Sequence, residues 1–162
     1  MFHIVLFEPE IPPNTGNAIR LCANTGAALH LIEPLGFRLD DKSLRRSGLD
    51  YHDLAAVKVH PNLDACLIEL KEARWFCVET GARRSYSDEA YRAGDAFFFG
   101  PESRGLPEAV LAKVGRDNSL FIPMRASTRS INLSNAVAIV AFEAWRQIGF
   151  AGRCDRLDRP GI

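Results

Sequence analysis

The chain has 162 residues, a length that suits one domain with a sizeable core. Hydrophobic residues make up 47% and charged residues 25%, and 20 Lys+Arg against 20 Asp+Glu leave no net charge, which argues against a protein that grips nucleic acid by bulk charge. The four cysteines, Cys22, Cys66, Cys77 and Cys154, form no C-x-x-C pair and have no nearby histidine to complete a zinc pattern. No metal and no disulfide framework are therefore expected. Cys22, Cys66 and Cys77 read as small core side chains, and a reducing cytoplasm is the expected setting. The start, MFHIVLFEPE, turns acidic too soon for a signal peptide, and no apolar run approaches membrane-spanning length.

In chain order, FHIVLF (Phe2–Phe7) reads as a strand buried on both faces. TGNAIRLCANTGA reads as a helix that starts near Asn14, is capped by Asn14 or Thr15 and stops at Gly26. LHLIE is a second strand, DKSLRRSGL a short helix and AVKVH a short strand. NLDACLIELKEA is a helix capped by Asn62. RWFCVET, DAFFFG and SLFIP are three more strands, and the helix PEAVLAKV, started by Pro107, lies between the last two. The final helix runs from about Asn132 to Gly149. This alternation predicts an α/β protein with a mostly parallel sheet and helices on both faces. Residues 1–150 form one domain in this reading, and 151–162 form a polar tail to which no role is given.

Ligands of such sheets sit beyond the carboxyl ends of the strands. That rule selects EPEIPPNTGN, ETGARRS, GPESRGLP and PMRASTRS, all rich in Gly, Pro or polar groups. In PPNTGNAIR the free N–H groups of the first helical turn favour an anion, and Arg20 projects toward the same mouth from six residues beyond Asn14. The segment has neither a Walker ending nor a dinucleotide fingerprint, and taken alone it is better explained as an ordinary capped helix with an exposed arginine. In FFFGPESRGLP, Gly100 and Gly105 suit a tight loop around a ligand, and Glu102 suits a ribose hydroxyl, an arginine or a plain turn salt bridge. In STRSINLSNAV, the groups Ser130, Asn132, Ser134 and Asn135 exceed what one helix cap needs, with Arg129 beside them. The helix behind them is apolar on most faces, through Val137, Ala138, Ile139, Val140, Ala141, Phe142, Ala144, Trp145 and Ile148, so it must be buried by the domain or by a second subunit. The excess of polar groups fits a pocket for a small ligand. Lys42, Arg45 and Arg46, Arg83 and Arg84, and Arg125 with Arg129 are local basic patches or simply solvated faces.

Together the three segments resemble the motif set of SPOUT-class RNA methyltransferases, in the TrmH-like branch of ribose 2′-O-methyltransferases. Asn14, Gly16 and Arg20 match Asn-x-Gly-x-x-x-Arg; Gly100, Glu102 and Gly105 match Gly-x-Glu-x-x-Gly; IPM followed by Ser130, Asn132 and Ser134 matches the third motif. The motifs come in order over nearly the whole chain, and the wording EPEIPPNTGNAIRLCANTGAALHLIEPLGF and SINLSNAVAIVAFEAWRQ is similar to the small TrmL type. The resemblance implies a SPOUT fold with a deep C-terminal trefoil knot, exceptional among folds. It implies a homodimer with the last helix in the interface. It implies S-adenosyl-L-methionine as co-substrate, held by Val78, Gly100, Ile122 and Ser130, with Leu133 nearby. The implied reaction is 2′-O-methylation of the wobble nucleotide, a cytidine or modified uridine at position 34, in leucine tRNAs, whose anticodon stem-loop is the partner. Another tRNA position, ribosomal RNA or a non-catalytic RNA-binding dimer are the alternatives.

The implied catalytic residue is Arg20, with Asn14, Glu102 and Asn132 positioning groups. Arginine stays protonated in proteins, so Arg20 suits stabilising a developing alkoxide and orienting phosphate or ribose, in its own site or a partner's. The sequence departs from the type at Phe142, where tyrosine also occurs; Phe142 has no hydroxyl to donate.

Overall fold

A computed structural model describes residues 1–39 and 57–154. Strand β1 (His3–Phe7) leads into helix α1 (Pro12–Thr25) and strand β2 (Ala28–Ile32). Strand β3 (Val57–His60), helix α2 (Leu63–Glu69) and strand β4 (Trp75–Val78) follow. Then come β5 (Arg84–Ser85), β6 (Ala96–Phe99), helix α3 (Glu108–Val114), β7 (Ser119–Phe121) and helix α4 (Leu133–Gln147). The short helix expected at DKSLRRSGL, with Lys42, Arg45 and Arg46, lies outside the described residues.

Among the described residues the strands form one seven-stranded sheet in the order β3-β2-β1-β6-β4-β7-β5, and every pairing is parallel. The expected α/β architecture holds. Its helices divide between the two faces. Ile4, Leu6, Leu29, Leu31, Phe97 and Phe99 point toward α1 and α4, where they meet Ala18, Ile19, Cys22, Val137, Val140, Ala141 and Ala144. Val5, Ile32, Cys77 and Phe98 point toward α2 and α3, against Leu63, Cys66, Leu70, Val110, Leu111 and Val114. Alternation within FFF therefore feeds both cores, which is why no polar residue interrupts that strand.

Several boundaries differ from expectation for identifiable reasons. Helix α1 starts at Pro12, not near Asn14, because Pro12 and Pro13 occupy its first turn, where a missing N–H costs nothing. Ile11 holds the cap position without any side-chain bond, so neither Asn14 nor Thr15 caps the helix. Thr15 is buried with no partner for Oγ1 among the described residues. Gly26 ends the helix at φ 71°, as expected. Asn62 caps α2 as read, its Oδ1 accepting from the Ala65 N–H at 2.9 Å. Pro107 caps α3 from outside its first turn, in extended backbone. Strand β5 was not foreseen: two residues of the ETGARRS connection add an edge strand by pairing with β7. Helix α4 is buried on one stripe only, and Phe142 on its outer side is 46% exposed. Trp145 and Phe150 continue the aromatic row begun by Phe142, and the Trp145 Nε1–H donates to the Ala151 carbonyl at 3.0 Å. The first tail residues thus fold back on α4; residues 155–162 lie outside the described ones. No helix among the described residues is long and apolar enough to cross a membrane.

Candidate active site

The sheet order reverses direction around β1, β6 and β4, and the segments leaving these strands and β7 at their carboxyl ends meet there. They enclose a cavity of about 610 Å³, within the roughly 300–1,000 Å³ common for small-ligand sites. Val78 at the end of β4, Gly100 after β6, Ile122 after β7, and Ser130 and Leu133 at the start of α4 all line it, as do Asn14, Glu102 and Asn132. Eight of the nine expected site residues are therefore brought together. The ninth, Arg20, is not in the lining. It is exposed on α1, about 9 Å along the helix axis from Asn14 at 1.5 Å per residue.

Asn14 is the link among the three motifs. Its Nδ2–H donates to Oε1 of Glu102 at 2.8 Å, and its Oδ1 accepts from Nδ2 of Asn132 at 2.9 Å. Asn132 also caps α4, its Oδ1 accepting from the Ser134 N–H at 3.0 Å, the Ser134 hydroxyl at 2.8 Å and the Asn135 N–H at 3.4 Å. Glu102 accepts in addition from the Glu10 N–H at 2.8 Å and the Ile11 N–H at 3.3 Å. Its carboxylate thus serves the otherwise uncapped entrance to α1, not an arginine. The buried amide thus donates on one side and accepts on the other, which fixes its orientation between the two motifs.

The glycines have distinct physical causes. A Cβ on Gly100 would stand 2.2 Å from the carbonyl carbon of Gly105 and 2.3 Å from the Leu106 nitrogen, so no side chain fits. Gly105 turns back with φ +69°, the left-handed region. The loop between them is clamped to the strand β1 exit by residues that sequence reasoning missed. Arg104 pairs with Glu8 at 2.5 Å and Glu10 at 3.3 Å, and Glu10 accepts from the Ser103 hydroxyl at 2.8 Å and N–H at 3.1 Å. Glu79 and Thr80, which open the ETGARRS segment selected from the sequence, line the cavity as well. The partners of the clamp are more than ninety residues apart in the chain, so no local pattern signals them. Burial pushes the Cys22, Cys66 and Cys77 thiols up to about 12, so none is a ready nucleophile, in line with the core role expected of them.

Comparison with known proteins bears on this arrangement. The family described as the SpoU rRNA Methylase family matches residues 1–142. A relative from Methylovorus glucosotrophus, named tRNA (cytidine(34)-2′-O)-methyltransferase, is 53% identical over 152 residues, which cover 94% of this chain and 99% of the relative. A solved structure described as structural insights into the 2-OH methylation of C/U34 on tRNA superposes with a TM-score of 0.85 at 46% identity, covering 92% of this chain and 97% of the other. AviRb, a SpoU methyltransferase from Streptomyces viridochromogenes solved with AdoMet, superposes at 0.78 with 23% identity over 93% of this chain and 58% of its own, a likeness of fold alone.

Proposed function

Because the chain belongs to the SpoU rRNA methylase family, we propose that it uses S-adenosyl-L-methionine to methylate the ribose 2′-oxygen of the wobble nucleotide 34, cytidine or modified uridine, in leucine tRNAs. The observation that carries this reading is the convergence of three motifs on one cavity through Asn14, Glu102 and Asn132. The relatives' names support the nucleotide and its 2′-oxygen.

The lining fits the co-substrate. Val78, Ile122 and Leu133 offer apolar walls to an adenine ring, Ser130 offers a hydroxyl, and the bare Gly100 leaves backbone groups in reach. When bound, S-adenosyl-L-methionine supplies a methyl on a sulfonium, already a good leaving group. Arg20 stabilises the alkoxide that develops on the ribose and orients it. Asn14, Glu102 and Asn132 hold the walls in register and so position the substrate. With Arg20 outside the lining of its own cavity, it acts in the site of a second copy. That reading makes the enzyme a homodimer, joined across the outer side of α4 at Phe142, whose partly apolar surface supports the assignment. Arginines of both copies then flank one anticodon stem-loop, which reconciles RNA binding with zero net charge. The reading takes residues 1–150 as one cytoplasmic methyltransferase domain and carries with it the C-terminal knot of SPOUT enzymes.

The test is transfer of labelled methyl from S-adenosyl-L-methionine to total tRNA from a strain lacking the protein, mapped by nuclease digestion. Label in the wobble ribose of leucine tRNA is expected. Label in another RNA would keep the chemistry and discard the substrate, and no transfer despite co-substrate binding would sink the enzymatic reading.

A further inference from the structure

None of the groups lining the cavity belongs to a row of imidazoles on the α2 side of the sheet. His3 on β1, His30 on β2 and His60 on β3 stand side by side. Nδ1 of His3 lies 3.0 Å from Nε2 of His30, and Nδ1 of His30 lies 2.9 Å from Nε2 of His60. The row ends at Glu69 of α2, whose Oε2 is 3.9 Å from Nδ1 of His60 and whose Oε1 is paired with Lys58. His30 and His60 are buried in a layer otherwise made of Val5, Ile32, Leu63 and Phe98. Cys66 of α2 is buried beside them: its Sγ and one ring nitrogen from each of His30 and His60 lie within 4.8 Å of one another.

Apolar side chains would fill this layer at lower cost than imidazoles. A shared proton between His30 and His60 satisfies one nitrogen of each, and a core role for Cys66 does not by itself set its sulfur against both rings. His30 is also oriented from behind by His3 at hydrogen-bond distance, the outer support that metal-bound histidines ordinarily have, and the Glu69 carboxylate lies 3.9 Å behind His60. We propose that His30, His60 and Cys66 bind a thiophilic divalent cation, with zinc the ordinary occupant, and that the cation ties β2 to β3 and α2. The sequence hides the site because its ligands are spread over three elements, the two histidines alone 30 residues apart, and match no compact zinc spacing.

The exchange balances. The cation takes the lone pairs of His30 Nδ1 and His60 Nε2 in place of the proton between them. His30 then carries its proton on Nε2 and donates to His3, which accepts at Nδ1. His60 keeps its Nδ1 proton toward Glu69. The Cys66 thiol releases its proton to solvent, one per ion bound. One thiolate on a dication leaves a single positive charge, offset by the Glu69 carboxylate. Zn–N bonds of about 2.0–2.1 Å in a tetrahedral site set the two nitrogens about 3.3 Å apart. The rings need to part by only about 0.4 Å from their present 2.9 Å to reach that spacing.

The test uses the full chain, stripped with a chelator and titrated with Co²⁺, then with competing Zn²⁺. Binding of one equivalent is expected, with a thiolate-to-cobalt charge-transfer band that zinc displaces. Cys66→Ala loses the band, while Cys154→Ser keeps it. Should Cys66→Ala fail to fold by circular dichroism, His60→Asn serves instead and is expected to bind cobalt at least about tenfold more weakly. No saturable binding by the unaltered chain, or a band that survives Cys66→Ala, would overturn the proposal. Wobble-methylation activity is not the readout, so failure here leaves the methyltransferase reading untouched.

Discussion

The two faces of the sheet are built to different rules. On the α1–α4 face, aliphatic and aromatic side chains interlock, with Phe97 against Phe2, Phe76 and Tyr91. On the α2–α3 face, the apolar layer is broken by His30, His60 and Cys66. Helices α1 and α4 each bring a motif to the cavity at their amino ends, so their face must hold two long helices at a fixed height. The short helices α2 and α3 bring few groups there, and that face tolerates polar neighbours. One layer is a rigid mount for a site; the other has room for chemistry of its own.

That contrast can be broken most severely at Phe97, which is fully buried. Phe97→Ala should cost about 3–5 kcal/mol in a denaturant melt and weaken co-substrate binding through the loosened mount. Acid should act on the other face. Burial, foremost, lowers the pKa of His30 to about 4 and that of His60 below 6.5. The unfolded chain therefore binds protons that the folded one refuses, and stability present above pH 6.5 is lost as pH falls toward about 4. In the presence of a chelator the loss should reach roughly 2–3 kcal/mol, and His30→Leu should flatten the profile in that window. Gly100→Ala forces Cβ into the Gly105 backbone and should cost about 1–3 kcal/mol while abolishing co-substrate binding by calorimetry. Phe142→Tyr, the mildest of these changes, puts a hydroxyl into the contact proposed across the outer side of α4 and should cost about 1 kcal/mol in a denaturant melt of the dimer. No change would mean that this side of α4 is open to solvent.

Much of the fold was legible because both sheet faces are covered. Short, continuous apolar runs such as FFF, flanked by Gly and turn residues, read as buried strands, and Gly26 and Asn62 mark helix ends by local chemistry. The cavity residues were named through the family resemblance that the three motifs carry, and Val78, Gly100, Ile122, Ser130 and Leu133 do face one space. What escaped was set by pairings across the chain. Asn14 looked like a helix cap because asparagine usually is one, yet two prolines had already taken the first turn and freed its amide for Glu102. Strand β5 escaped because two polar residues carry no periodicity. The Arg104 clamp and the imidazole row join elements that no window spans.

The place of Asn14 between a carboxylate and an amide has a consequence for how the gene can drift. Asn14→Asp would still accept from Asn132 but would set two carboxylates face to face where a 2.8 Å bond now runs. Adding Glu102→Gln restores a donor opposite the new acid and keeps an oxygen for the Glu10 N–H, giving up only the longer 3.3 Å bond from the Ile11 N–H. The pair of changes is tolerable where the first alone is not, so the two codons are separated from their exchanged state by a fitness valley and should change hands together.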